Sequence, residues 1–287
     1  MFDWQDLYFF SVLARTQSLS AAARELGVEH ATVGRRLESL EQAFGMQLVD
    51  RLPRSRPLTE DGRAVAAIAE SMQEMAHSLE RRARAASADL AGSVRVSAPP
   101  SVAAACITPR IAALREHYPN LSIVLLPSTA LASLNTGEAD IAIRTVRPEE
   151  NGLLCRQIGV VRFGLYATAA FSRRPPEQWT FIAYDESLDH LPQQAWLHHV
   201  RAGRPIVFAA SELNSQQIAA RGHVGAVVLP TIVGDNDPAL VRLAVELEAP
   251  VRAIWITAYP DIRRTPSVSA VMEFLVDCIQ REPKLQG

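Results

Sequence analysis

Lysine is almost missing from this 287-residue sequence: Lys284 is the only one among 29 basic residues. Against 31 acidic residues the formal net charge is −2, so no overall basic excess announces a polyanionic partner. Cysteine is scarce as well. Cys106, Cys155 and Cys278 are odd in number and far apart, which fits reduced thiols in a cytoplasm better than a disulfide framework. None has a neighbouring Cys or His at metal-ligand spacing. No run approaches the roughly 20 apolar residues of a membrane span. The opening residues Met1 to Asp6 are acidic and lack the apolar segment of a signal peptide, so the expectation is a soluble, cytoplasmic protein. Gly-rich phosphate loops, Gly-x-Ser-x-Gly and Cys/His catalytic sets are also missing, which leaves no sign of an enzyme and no expected cofactor. His198-His199, the one adjacent histidine pair, reads as a polar loop near Trp196 rather than a metal site.

What is present is ordinary globular material. Hydrophobic residues make up 48%, with 14 Gly and 18 Pro, and the length suits two domains. The first sixty residues carry the densest pattern. Trp4, Leu7, Tyr8, Phe10, Val12 and Leu13 recur at helical spacing over 3–14. Ser18 is a plausible N-cap for a second helix over 19–26, and Gly27 supplies a turn. A third helix runs over about 29–44, with Val33, Leu37, Leu40 and Phe44 on one face and Gly45 past its end. Ala23, Gly27, Val28, Val33 and Leu37 are spaced as a helix-turn-helix requires. The small Ala lets two helices cross closely, Gly permits the turn, and the aliphatic residues fill the angle between them.

The third helix then reads as a recognition helix. Its first turns offer His30, Thr32, Gly34, Arg35 and Arg36. Arg can bond guanine bidentately, Thr offers a methyl or a hydroxyl, and a glycine permits close approach to DNA. Two short apolar stretches, 47–50 and 58–59, bracket an Arg/Pro loop, as in a β-hairpin wing. Arg51, Arg54 and Arg56 in that loop are expected on phosphates beside the groove, setting register without reading bases.

These segments carry a resemblance. Ser18 to Ala23, Leu26-Gly27-Val28, Ala31 to Leu37, Leu40-Glu41, Gly45 to Arg51 and Leu58 to Gly62 together resemble the N-terminal domain of LysR-type transcriptional regulators. The resemblance implies a winged helix-turn-helix over 1–60, with the helix-turn-helix itself at about 19–38. Where the family commonly has Ser-Gln-Pro or Ser-Gln-Ser, this chain has Glu29-His30-Ala31, and Gly34 stands where Ser is frequent. The docking mode therefore carries over better than the base preference.

A long helix follows to about Ala88, starting from a Thr59 cap. Val65, Ile68, Met72, Met75, Leu79 and Ala83 form a narrow stripe at three- and four-residue steps, the kind that pairs two helices. The resemblance agrees that this segment, 61–90, joins two subunits antiparallel. It implies a homodimer, and beyond it a tetramer, on a near-palindromic double-stranded operator, with RNA polymerase as a further partner.

From Gly92 strands and helices alternate, the pattern of an α/β sheet with parallel strands. Strands are expected at 94–98, 121–126, 139–144, 163–168, 205–209, 225–229 and 252–257, with a last helix over 268–279. Residues 91–287 resemble the effector-binding domain of the same family, itself similar to periplasmic solute-binding proteins. Lobe I would take about 91–161 and 258–287, lobe II about 162–257. The motifs carrying this are Gly92 to Val96, His117-Tyr118-Pro119, Gly137 to Ile143 and Gly225 to Pro230.

Ligands in open α/β sheets sit at the carboxyl ends of strands. Ser101 stands where a strand feeds a helix N-terminus, Ser128 and Thr129 repeat the arrangement, and Arg144 follows the third strand. The expectation is a small-molecule effector, a carboxylate by the anion-site argument, held by Ser101, Ser128, Thr129 and Arg144. The alternatives are a solute-binding protein and an α/β enzyme without a DNA-binding role. Neither explains the first ninety residues.

Overall fold

A computed structural model describes residues 2–50, 57–85, 90–127, 139–148 and 152–287. They divide into two compact units, Met1–Glu80 and Arg81–Gly287.

In the first unit α1 spans Trp4–Thr16, α2 Leu19–Leu26 and α3 His30–Phe44. Four of their boundaries have a local cause in a side-chain cap or a glycine. Asp3 accepts a hydrogen bond from the Gln5 N–H at 2.9 Å, and Ser18 accepts one from the Ala21 N–H at 3.4 Å. Gly27 (φ +65°) and Gly45 (φ +68°) end α2 and α3 in the left-handed region that glycine enters without strain. The core of this unit is one cluster. Phe10 and Leu13 from α1 meet Ala22 and Ala23 from α2, Val33, Leu37 and Leu40 from α3, and Leu48 and Val49 beyond them. The base of the wing is formed: Val49 and Leu58 bridge antiparallel, and the Asp50 N–H donates to the Pro57 carbonyl at 2.9 Å.

The long helix α4 spans Glu60–Ala85. Thr59 caps it, accepting from the Gly62 N–H at 2.9 Å while its own hydroxyl donates to the Gln47 carbonyl. The apolar stripe expected to be wholly available for pairing is divided. Val65, Ala66, Ala69 and Met72 pack on the core of the first unit, whereas Ile68, Met75 and Leu79 are 60%, 65% and 73% exposed. A 3.6-residue repeat drifts around the axis over this length, so one stripe supplies two faces.

The second unit is built on a nine-stranded sheet. Its strands are β1 Gly92–Ala98, β2 Leu121–Pro127, β3 Ile141–Arg144, β4 Leu154–Ala167, β5 Phe181–Ala183, β6 Ile206–Ala209, β7 Ala226–Pro230, β8 Val241–Leu243 and β9 Val251–Ala258. The order is β2-β1-β3-β9-β4-β7-β5-β6, with β8 paired to β4. Two parallel sets, β2-β1-β3 and β6-β5-β7, are joined by the antiparallel pair β4 and β9. The sheet is thus mixed: two parallel lobes spliced by two crossing strands. The helices are α5 Pro100–Val102, α6 Ile111–His117, α7 Ala169–Ser172, α8 Pro192–Arg201, α9 Leu213–Arg221, α10 Thr231–Gly234, α11 Pro260–Arg263 and α12 Pro266–Gln280.

Between Pro100 and His117 the helical path is broken by a π-helical stretch at Ala103–Ile107 and a 3₁₀ turn at Thr108–Arg110, where Pro109 has no N–H to donate. His198 and His199 lie on α8, not in a loop. The larger core cluster runs along one face of the whole sheet and is sealed by α12, α8 and the segment after β1. A smaller one around Tyr166, Ile182, Val227 and Leu229 lies under α9. Gly234 is the contact that admits Tyr166, because a Cβ there would sit 2.4 Å from the phenol ring.

Candidate DNA-reading face and effector cavity

The outward side of α3 is set by what holds its inward side. Glu41, buried in α3, accepts from the Leu48 N–H at 2.8 Å and the Val49 N–H at 3.4 Å, tying the helix to the wing base. Arg36 is the second tie. Its guanidinium donates to Asp6 at 2.9 Å, Asp3 at 3.3 Å and Gln5 at 2.8 Å, and it lies 5.7 Å over the Phe9 ring. The Asp6 side chain, with the coulombic pull of both carboxylates, raises the Arg36 pKa. Arg36 is therefore engaged with α1, not presented at the groove face.

His30 and Arg35 are exposed and Thr32 is half-buried, with the Arg35 guanidinium 3.3 Å from the Thr32 hydroxyl. A Cβ on Gly34 would meet nothing within 4 Å. The structure thus brings His30, Thr32, Gly34 and Arg35 onto the first turns of one anchored helix. The wing arginines Arg51, Arg54 and Arg56 lie outside the described residues. Neither Glu41 nor the staple role of Arg36 was foreseen. The available signal was the acidic pair Asp3 and Asp6 opening α1, which left Arg36 something to bind.

In the second unit a cavity of about 520 Å³ opens beside Ser101. One wall is Pro100, Ser101, Ala104 and Ala105; the other is Leu213, Asn214 and Gln217 of α9 with Ile232, Val233 and Asn236. The lining is mostly apolar with a few neutral polar groups, the ordinary make-up of a small-molecule site. Two of these are already oriented. Asn236 accepts from Lys284 at 2.7 Å and donates to the Ile232 carbonyl, and Gln217 donates to Asp237 at 2.7 Å. Arg144 is not among the lining residues. It is 6% exposed in β3 and donates to its neighbour's carbonyl, Ile143, at 2.8 Å. On β3 it shares a face with Ala142, opposite the core residues Ile141 and Ile143. Ser128 and Thr129 lie outside the described residues. A second cavity of about 410 Å³ lies beside Trp196, Leu165 and Leu243 in lobe II.

The thiols are packing groups. Cys106 and Cys278 are buried, and the Cys106 Sγ donates to the Cys278 carbonyl at 3.1 Å. Burial pushes their pKa values up to about 12 and about 11, which keeps both as unreactive thiols. Among the described residues no helix is long and apolar enough to cross a membrane, and no three His, Cys, Asp or Glu side chains gather as a metal set.

Comparison with known proteins matches both units. Residues 4–63 fit the model of bacterial regulatory helix-turn-helix proteins of the lysR family, and residues 87–278 fit the LysR substrate binding domain. The chain is 28% identical over 284 residues to the Mau operon transcriptional activator of Paracoccus denitrificans, covering 96% of each protein. Among solved structures it resembles full-length AphB, a virulence activator of Vibrio cholerae, with TM-score 0.60, 21% identity and coverage of 96% and 99%. It also resembles CrgA of Neisseria meningitidis, with TM-score 0.56, 22% identity and coverage of 95% and 97%. At those identities the structural likeness speaks for the fold.

Proposed function

We propose how this chain works from the premise that it belongs to the LysR family of bacterial transcriptional regulators. It is a DNA-binding regulator with an effector-binding domain, in a family of regulators and not of enzymes. The reading is that residues 1–60 bind DNA, 61–90 connect, and 91–287 sense a small molecule through two lobes.

The reader is the N-terminal half of α3. His30, Thr32 and Arg35 face base edges, and Gly34 lets the helix backbone approach the duplex. Arg36 acts one step back, fixing α3 on α1 so that Arg35 beside it stays outward. The wing arginines Arg51, Arg54 and Arg56 take phosphates. Ile68, Met75 and Leu79 leave an apolar strip on α4 that a second copy covers, giving a dimer whose two reading helices meet two half-sites of a near-palindrome. A tetramer and a contact with RNA polymerase follow as higher steps of the same assembly.

The effector enters the cavity at Ser101, joined by Ser128 and Thr129. Its binding biases the two lobes about the crossing strands β4 and β9. With no cation among the described residues that line the cavity, the acidic-effector expectation rests on Ser101 at its helix start, and Arg144 is its weakest member.

The observation carrying this reading is the exposed first turns of α3, anchored from behind by Arg36 and Glu41. Arg35→Ala tests it. Loss of a bidentate base contact costs about 1–3 kcal/mol, a weakening of roughly five- to 150-fold for the regulator's own upstream region. A fluorescence-anisotropy titration with Arg35→Ala matching the parent protein at several salt concentrations would sink the assignment.

A further inference from the structure

Arg252 stands on β9, in register with Val161 of β4, on the same face as the core residues Ile254 and Ile256. It is half-buried. Among the described residues its guanidinium has one hydrogen-bond partner, a weak one, the Gln193 side-chain oxygen at 3.5 Å, and pairs with no carboxylate. Burial pushes its pKa down, opposed by the neighbouring Tyr184. A desolvated guanidinium without a counter-charge is costly, and proteins seldom keep one without use for it.

Asp185, next to Tyr184 in sequence, caps Ser187, and Asp189 receives Gln194 and His198. What surrounds Arg252 is instead a pair of neutral polar groups. Gln193 is 4% exposed in the uncapped first turn of α8. Tyr184 is half-buried at the end of β5, its backbone N–H held by Gln194 at 3.2 Å and its phenol beside Gln193. Trp196, one turn further along α8, has a buried indole N–H with no acceptor. None of Tyr184, Gln193 and Arg252 lines the Ser101 cavity.

We propose that Arg252, Tyr184 and Gln193 form a second, separate site in lobe II that binds a monoanionic carboxylate. Arg252 supplies the forked donor that fits a carboxylate bidentately, Tyr184 supplies a hydroxyl donor, and Gln193 orients both. Charge matching sets the class. One guanidinium neutralises one negative charge, whereas a phosphate dianion would leave a charge uncompensated in a partly dry site.

The test uses the full-length protein with sodium hexanoate, hexanamide and inorganic phosphate as probes, read by thermal shift and calorimetric titration. The expected result is that hexanoate alone binds and raises the melting temperature. Arg252→Gln should weaken hexanoate at least tenfold, and Ser101→Ala should leave it unchanged. Without ligand, Arg252→Gln should melt at the parent temperature or above, because an unpaired charge has been removed. Arg252→Lys, which keeps the charge and loses the fork, should bind with intermediate affinity and guards against a variant that does not fold. Binding of phosphate or hexanamide in place of hexanoate, loss of hexanoate binding in Ser101→Ala, or a fall in the unliganded melting temperature of Arg252→Gln would each overturn the proposal.

Discussion

The two units use arginine in opposite ways. In the first, Arg36 meets two carboxylates, an amide and an aromatic face, so its charge is consumed in holding α3 on α1. In the second, Arg252 is half-buried and, among the described residues, meets only a distant amide. One is scaffold and the other is unfinished. The first unit's cohesion is also local: three helices within 45 residues share one small core. The second joins strands distant in sequence, Leu154–Ala167 against Val251–Ala258, between its two parallel sets. A small local core can be undone at one residue, and a long-range sheet is harder to undo but is more sensitive at its buried charges.

The largest effect should come from attacking the small core. Phe10 is 0% exposed at the meeting point of α1, α2 and α3. Phe10→Ala should cost about 3–5 kcal/mol, a large share of what a domain this size holds in reserve. Differential scanning calorimetry should show the first unit's transition lost or moved well down while the second unit's transition stays in place. A single transition that shifts as a whole would break the comparison, because the units would then melt as one.

The second effect belongs to the sheet unit. Asp237 is 5% exposed. Its Oδ2 accepts from Gln217 and Arg221, both at 2.7 Å, and its Oδ1 accepts from the Ala239 N–H at 3.0 Å. Burial pushes its pKa up, but those hydrogen bonds outweigh it and the net shift is downward. A depressed folded-state pKa gives stability that is present above the unfolded value, about 3.9, and is lost as pH falls through the lower folded one. Asp237→Asn turns one acceptor into a donor facing other donors and should cost about 1.5–3 kcal/mol at neutral pH. The variant's urea-unfolding midpoint should also vary less between pH 5 and 3 than the parent's. Equal pH dependence in both would assign the acid sensitivity to other carboxylates.

The same contrast explains what could be read from the sequence. Helix ends in the first unit were legible because each has its cause within four residues: Ser18, Gly27, Gly45 and Thr59 act as local signals. Most sheet strands were legible as apolar runs, and the crossing return at 252–257 was recognised. The start of β4 at Leu154 and the short β5 and β8 were not, because their pairing partners lie far along the chain. The candidate site divided the same way. His30, Thr32, Gly34 and Arg35 follow from helical periodicity alone. Arg36 sits on the same helix, yet its side chain is claimed by Asp3 and Asp6 some thirty residues back. Arg252 could not have been singled out, since lacking a counter-charge is a property of its three-dimensional surroundings.

The smallest effect on the fold is the most informative about function. Gly34 lies within α3, where glycine costs about 1 kcal/mol relative to alanine. Nothing inside the chain requires it, because an added Cβ would meet nothing within 4 Å and its backbone is ordinary helix. Gly62 differs: a Cβ there would lie 1.9 Å from the Leu48 carbonyl oxygen, so the fold itself demands glycine. Gly34→Ala should therefore raise the stability of the first unit by up to about 1 kcal/mol. If the helix backbone approaches DNA at that point, the same methyl should weaken operator binding. Stability and affinity would then move in opposite directions, measured by urea titration and by anisotropy on the same preparation. A variant that gains stability and binds its operator as well as the parent would make Gly34 a tolerated surface glycine and leave Arg35, Thr32 and His30 to carry the reading alone.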